Sequence, residues 1–458
     1  MKHPIKREAY MTQGSIPRGI VRFSLPLIAA YLLQRGFNTA DIVVVGRFVN
    51  DDALAAVTST SSLIMLLISV FSYLSMGTNV TAARAFGAGN TGKVSRVVHT
   101  SILLALWGGA VVAVFGAIFT PVLLRWMASP ERIIGQSTLY MRLYFLGIPA
   151  TMLYNFGSAL LRSGGDTKRP TVYLTVSGMV NVVLNLLFVL VFRMSVAGVA
   201  LATAITQWLS AALVLRALTR ETGALRLNPR GLHMDRECAG EIVKIGLPAG
   251  VQGLLISLSN VVVQSSINSL GEAAMAGSGA AADINAFVYL PMCGFYQACL
   301  TITGQNLGAG QLKRVDSVRR WALLFSCSTG IVLGSLVCLL SRPLLGIYIS
   351  APDAIAVGET RLLIETLFVA LCGTMDIFVG NMRGMGMSVP PMIISLLGVC
   401  AFRSLWIAIV FSAYHTPQAL FLVYPVSWTL TSLMQGGALI YTRRRVFAQT
   451  RAETAQSN

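Results

Sequence analysis

Twelve apolar runs, each about twenty residues or longer, follow one another along the chain, at roughly 20–46, 54–80, 97–120, 134–160, 171–192, 196–218, 243–269, 279–304, 318–341, 356–382, 390–412 and 417–441. Nothing else in the sequence restricts the fold as much. A segment of that length and character matches the hydrocarbon core of a bilayer. Inside lipid a backbone must satisfy its own hydrogen bonds, so each run is predicted to be a transmembrane helix. Charged residues are only 12% of the chain, against about 25% in a soluble domain. The predicted fold class is an all-α integral membrane protein of twelve transmembrane helices, and no soluble domain of appreciable size remains beside them.

The net charge of +17 is explained by where the charges lie. With the N-terminus in the cytoplasm, 26 of the 35 Lys and Arg fall in the N-terminal tail, the even-numbered connections and the C-terminal tail. Six lie in or beside the opposite connections, and Arg35, Arg142 and Arg403 are inside helices. That bias is the positive-inside pattern, so both termini are expected in the cytoplasm of a cell carrying this protein in its inner membrane. Nucleic-acid binding is not needed to account for the charge. The basic start runs into an apolar stretch that keeps Gln34, Arg35, Asn38 and Asp41 and has no small-residue cleavage site, so it is expected to stay as the first helix. Seven cysteines without metal-ligand spacing and four scattered histidines call for no metal site and no nucleophile relay.

The chain also repeats itself. "LPLIAAYLLQRGFN" (25–38) resembles "LPAGVQGLLISLSN" (247–260), "FGAGNTGKV" (86–94) resembles "LGAGQLKRV" (307–315), and "LLRSGGDTKRP" (160–170) resembles "NMRGMGMSVPP" (381–391). The displacement is 222, 221 and 221 residues, which marks a duplicated six-helix unit. Six is even, so the copies are predicted to be parallel repeats with the substrate path between them. The expected organisation is a tail (1–19), a first six-helix half (20–218), a cytoplasmic linker (219–241), a second half (242–442) and a C-terminal tail (443–458). The repeated Arg-Gly-Pro stretches are expected to be helix-ending turns, their arginines engaging terminal carbonyls or lipid phosphates. Neither has the GxxxxGK[ST] pattern of a phosphate loop.

With "LPLIAAYLLQRGFNTADIVVVGR" in helix 1, "LRSGGDTKRP" after helix 4, "NVVLN" in helix 5, "GVALATAITQ" in helix 6 and "RGMGMSVPPMI" after helix 10, the chain resembles the multidrug and toxic compound extrusion family over about residues 15–445. The resemblance implies a secondary antiporter. It would export mostly cationic, amphipathic compounds against an inward flow of protons or sodium, with no cofactor and no enzymatic activity. A monomer is expected, with the lipid bilayer and small amphipathic substrates as its partners.

Polar groups inside the membrane are costly and therefore functional candidates. Asp41 leads, because Gln34 and Asn38 lie within about 60° of it on an ideal helix and complete a polar stripe. Asn181 and Asn185 share one face of helix 5, Asn155 lies in helix 4 and Thr203 in helix 6. The resemblance implies that Asp41, Asn155, Asn181, Asn185 and Thr203 form a proton or cation coupling site. Many family members carry aspartate at the position of Asn185, so one negative charge is missing. A sodium ion would draw on Asp41, Asn181 and Asn185, but a single aspartate among amides suits a proton better. Hydrogen bonding between helices is the competing role for each asparagine. In the second half no acid appears in "LLISLSNVVVQSSIN", where some members have a glutamate. Asp376, aligned with Asn155, is the expected substrate counter-ion, and Asp283 an interface residue. Tyr31, Gln34, Asn38, Phe287 and Met292 are the further candidates for a substrate pocket, with ordinary packing as the alternative for the apolar ones. Two rivals stay open: a flippase or exporter of a lipid-linked or anionic substrate, for which Arg35, Arg142 and Arg403 argue, and a membrane-embedded enzyme, for which no convergent set of groups is found.

Overall fold

The structure is a computed structural model that describes residues 9–48, 51–126 and 131–457, with side chains described at all of these except 9–10, 40–59, 61–63, 65–68 and 453–457. Each of the twelve apolar runs is predominantly helical over its described residues, with short breaks in some, and the described residues contain no strand. We label the helices α1 (Ile16–Phe48), α2 (Asp51–Gly87), α3 (Thr91–Trp126), α4a (Glu131–Phe145) and α4b (Ile148–Ser163), α5 (Lys168–Leu186), α6 (Ser195–Thr219), α7 (Arg236–Asn268), α8 (Glu272–Gly308), α9 (Leu312–Leu339), α10a (Pro352–Leu367) and α10b (Val369–Gly384), α11 (from Val389–Ser395 to Ser412–Tyr414) and α12 (Val423–Ser457). Among the described residues eight helices are individually long and apolar enough to cross a bilayer, and α10a with α10b makes a ninth, bent by 46°.

The fourth helix of each repeat is broken at the same place, Leu146–Gly147 in one and Phe368 in the other. Pro149 accounts for the first break, since proline suits the opening turn of a helix and disrupts its interior. The exposed Leu146 carbonyl accepts a hydrogen bond from Trp208 Nε1 of α6 at 3.1 Å. The second break has no proline. There Thr366 turns its hydroxyl back onto the Leu362 carbonyl at 2.5 Å, a contact that bends helices. Repeat symmetry extends to the turns: Gly165 and Gly386 adopt φ of 88° and 86°, and Gly89 and Gly310 adopt 67° and 69°, left-handed values that glycine reaches without penalty. The Arg-Gly-Pro stretches do end helices as expected.

Two compact units divide the chain, with borders inside α1 and α7: an N-unit, Ala29–Leu247, and a C-unit made of the chain up to Ile28 and from Pro248 onward. In the N-unit the linker and the start of α7 are fastened to α3. Arg96 pairs with Asp235 at 3.2 Å and Lys93 with Glu241 at 2.6 Å. The Asn228 N–H donates to His99 Nε2 at 3.2 Å, and the His99 and His233 rings stack at 5.5 Å. The Asp235 carboxyl is held below its ordinary value, chiefly by the N–H of Cys238 and further by Arg96. Deeper in, α2 crosses α7 where any side chain on Gly77 or Gly246 would strike the opposing backbone, as close helix packing in membranes requires. In the C-unit the corresponding docking is made by the segment before α1 and the start of α1: Asn306 donates to the Met11 carbonyl at 2.9 Å, Arg314 to the Gly14 carbonyl at 3.0 Å and Ser24 to the Gly294 carbonyl at 3.1 Å.

Candidate functional site

In the N-unit, α5 and α6 bring three polar side chains into a buried contact. Asn181 Nδ2 donates to Thr206 Oγ1 at 3.3 Å, and Asn185 Nδ2 to Asn181 Oδ1 at 3.2 Å. Spacing of four residues on α5 stacks the two amides, as the sequence suggested, and a π-helical turn, Leu187–Val191, begins two residues after Asn185. Thr203 is half-buried and gives its hydroxyl to the Val199 carbonyl of its own helix at 2.9 Å; the hydroxyl that meets Asn181 is that of Thr206, one turn on. Asn155 is half-buried on α4b. Tyr31 is half-buried, and Gln34 and Asn38 are exposed. The Asp41 side chain lies outside the described residues. Phe37 packs where a Cβ on Gly178 would otherwise lie, which sets α1 against α5 one turn before Asn181.

The C-unit is built from charges. On α10, Asp376 accepts a hydrogen bond from the Tyr289 hydroxyl of α8 at 2.9 Å. Seven residues further along both helices, Arg383 donates to the Tyr296 hydroxyl at 2.7 Å and to Gln252 Oε1 at 2.7 Å, and Gln252 donates to Ser395 at 2.9 Å. Arg383 therefore departs from the expectation set by its repeat motif: it is 2% exposed and its guanidinium is turned inward to α7 and α8, because buried hydroxyl and amide acceptors converge there. Phe287 is exposed, whereas Met292 is buried beside Val288 and Val369. Asp283 is half-buried.

A second cluster, around α10a, α11 and α12, joins Arg403, singled out in the sequence, to Arg361 and Glu365, which sequence reasoning missed. Arg361 pairs with Glu365 at 2.7 Å and donates to the Ser278 carbonyl at 3.1 Å and to the Ser278 hydroxyl. Glu365 also accepts from Asn285 at 2.8 Å. Arg403 donates to Ser427 at 3.1 Å and to Asn260 at 3.2 Å, and its guanidinium lies 4.6 Å from the centre of the Tyr424 ring. The α8–α10a crossing makes this possible. A side chain on Gly277 would collide with the Ala354 carbonyl, and one on Gly358 with the Gly277 carbonyl, so the backbones approach closely and Arg361 reaches Ser278. The signal that pointed here was the i, i+4 spacing of Arg361 and Glu365 within an apolar run. Of the three arginines set inside helices, Arg403 is buried and Arg142 is exposed and donates to the Ala117 carbonyl at 3.3 Å. Arg35 is half-buried.

The MatE family profile matches residues 26–187 and 248–409, one copy on each repeat. The probable multidrug resistance protein YoeA of Bacillus subtilis (strain 168) is 28% identical over 432 residues, covering 92% of this chain and 93% of that one. An FAD transporter of Shewanella oneidensis is 24% identical over 453 residues, covering 98% of both. Among solved structures, that of a MATE in complex with MaD3S superposes with a TM-score of 0.89 over 97% of this chain and 99% of the other, at 20% identity; that likeness is one of fold.

Proposed function

The chain belongs to the MatE family, a family of membrane transporters, and on that premise we propose that it is a secondary active antiporter exporting amphipathic, mainly cationic, small molecules in exchange for protons by alternating access. Relatives named as multidrug resistance or multidrug export proteins support the substrate class. The observation that carries the coupling reading is the buried Asn181–Asn185–Thr206 contact, neutral throughout and set on the helix that packs against α1, the helix of Asp41. Sodium binding needs several oxygen ligands and compensating negative charge; Asn185 supplies no charge. An aspartate among amides is suited to taking up a proton, because burial disfavours its ionised form and an approaching cation favours it. Proton and cationic substrate then compete, and that reciprocity is antiport. Asp376 serves as the counter-ion to the substrate cation, and both termini lie in the cytoplasm.

The test is Asp41→Asn. In proteoliposomes the variant should insert and fold normally yet lose gradient-driven efflux of a fluorescent cation, whereas wild-type efflux should collapse with a protonophore in sodium-free buffer. Normal coupled efflux from the variant removes Asp41 from the mechanism. Efflux that survives with the pH gradient and potential clamped to zero, given an inward sodium gradient, replaces the proton by sodium. A second reading, export of an acidic amphiphile, is favoured by one observation: among the described residues inside the C-unit helices, three guanidiniums are buried, Arg361, Arg383 and Arg403, against one buried carboxylate, that of Glu365, while Asp283 and Asp376 are half-buried.

A further inference from the structure

The cluster around Tyr424 holds two guanidiniums and one carboxylate. Glu365 is engaged by Arg361 and by Asn285, so its charge compensates one arginine. Arg403 is 4% exposed. Its bonded partners are Ser427 and Asn260, both neutral, and no carboxylate is ion-paired with it among the described residues. Its Nη2 carries no hydrogen bond among them. A guanidinium has five N–H donors in a planar fork suited to a carboxylate or phosphate, and two are used here. The nearby carboxylate, Glu365, is already shared with Arg361, and a buried cation with incomplete compensation is expensive in a bilayer, so an anion that arrives here gains more than it would in water.

Depth decides what kind of anion. Arg403 lies fourteen residues after Val389 and eleven before Tyr414, which is about 21 Å and 16 Å from the two ends of α11 at the usual rise. Lipid headgroups sit at the ends of a transmembrane helix, so they do not reach it. Access is given by Asn260, which is exposed on α7 and holds Nη1 of Arg403 at 3.2 Å. The short α-helical stretch Phe402–Trp406 that carries Arg403 is set between two π-helical segments, Leu396–Ala401 and Ile407–Phe411, a backbone irregularity frequent at functional sites. The Tyr424 ring braces one face of the guanidinium, which leaves its edge for a ligand.

We propose that Arg403 and Asn260 form a subsite for the acidic group of a transported amphiphile, so that molecules pairing a carboxylate, sulfonate or phosphate with an apolar body are substrates of this chain. The inference rests on the exporter reading and adds an acid-recognising element to it. A matched pair of probes isolates it: rhodamine B, which bears a carboxylate, and its ethyl ester, the same ring system with that acid capped. Binding of both to purified protein is followed by fluorescence anisotropy, and efflux of the ester from proteoliposomes is measured separately. The ratio of acid to ester affinity should fall about tenfold or more in Arg403→Gln, the scale of a lost charge-assisted hydrogen bond, and be largely kept in Arg403→Lys. If Arg403→Gln does not fold, Asn260→Asp, at an exposed position, should lower the same ratio by placing a carboxylate against the guanidinium. An unchanged ratio in these variants, or no binding of the acid by the wild type, overturns the subsite. The exporter reading fails instead if the ester itself is not driven out by an imposed gradient.

Discussion

Tyr140 and Tyr144 in one repeat stand where Arg361 and Glu365 stand in the other, 221 residues apart. Both pairs are buried in the first segment of the broken fourth helix. The tyrosines stack, with ring centroids 6.3 Å apart; the arginine and glutamate make an ion pair tied to α8. The same contrast recurs one layer away, where Thr206 meets a neutral amide and its equivalent Ser427 meets a guanidinium. Two copies of one architecture therefore hold their helices by different means. Within its helix bundle the N-unit relies on apolar packing and neutral hydrogen bonds at these positions, its ion pairs lying at the linker and the helix ends. The C-unit buries charges, of which Arg361 and Glu365 are stable only while both are present.

The contrast can be broken most directly at Arg361. Arg361→Ala leaves Glu365 buried without its cation, and removal of one member of a buried pair costs about 3–5 kcal/mol. Thermal unfolding in detergent should show a large loss, partly recovered in the double variant Arg361→Tyr with Glu365→Tyr, which copies the N-unit. A single variant as stable as the wild type would mean that the ion pair does not hold the C-unit together. A smaller effect separates the hydroxyls. Ser427→Ala deprives a charged donor and should cost about 1.5–3 kcal/mol, whereas Thr206→Val removes an ordinary interhelical bond worth about 0.6 kcal/mol; equal losses in the two unfolding experiments would erase the distinction. The least effect is expected at the linker. The depressed Asp235 carboxyl stays ionised through and below the ordinary carboxylate range, so its contribution to docking is full above that range and lost only as pH falls through the lowered value. Linker accessibility to a protease should thus be constant from neutral to mildly acidic pH and raised throughout in Asp235→Ala. A release of the wild-type linker near neutral pH would contradict the assignment.

Much of this was legible beforehand because it depends on periodicity and repetition. Helix positions follow from apolar length, the turns from Gly165, Gly386 and their neighbours, and the stacked amides of α5 from a spacing of four. What was not legible depends on tertiary proximity. The role of Arg361 is not readable locally, because nothing in its neighbourhood says that Gly277 and Gly358 let α8 come close enough to supply Ser278. Arg383 was read as a surface cap because its inward partners, Gln252 and Tyr296, are distant in sequence. Thr206 rather than Thr203 meets Asn181 because helix rotation, which pattern alone does not set, turns one hydroxyl toward α5 and the other along its own helix.

The border of the C-unit within α1 has a consequence for synthesis. The stretch from Met11 to Ile28 is made before the N-unit, and the groups it docks on, Gly294, Asn306 and Arg314, follow the entire N-unit. These contacts span 270 to 300 residues of chain, which take on the order of fifteen to sixty seconds to make at about 5–20 residues per second. Through that interval the opening of α1 lacks the surface it finally rests on, so a segment made before the N-unit reaches its place only after the N-unit is complete.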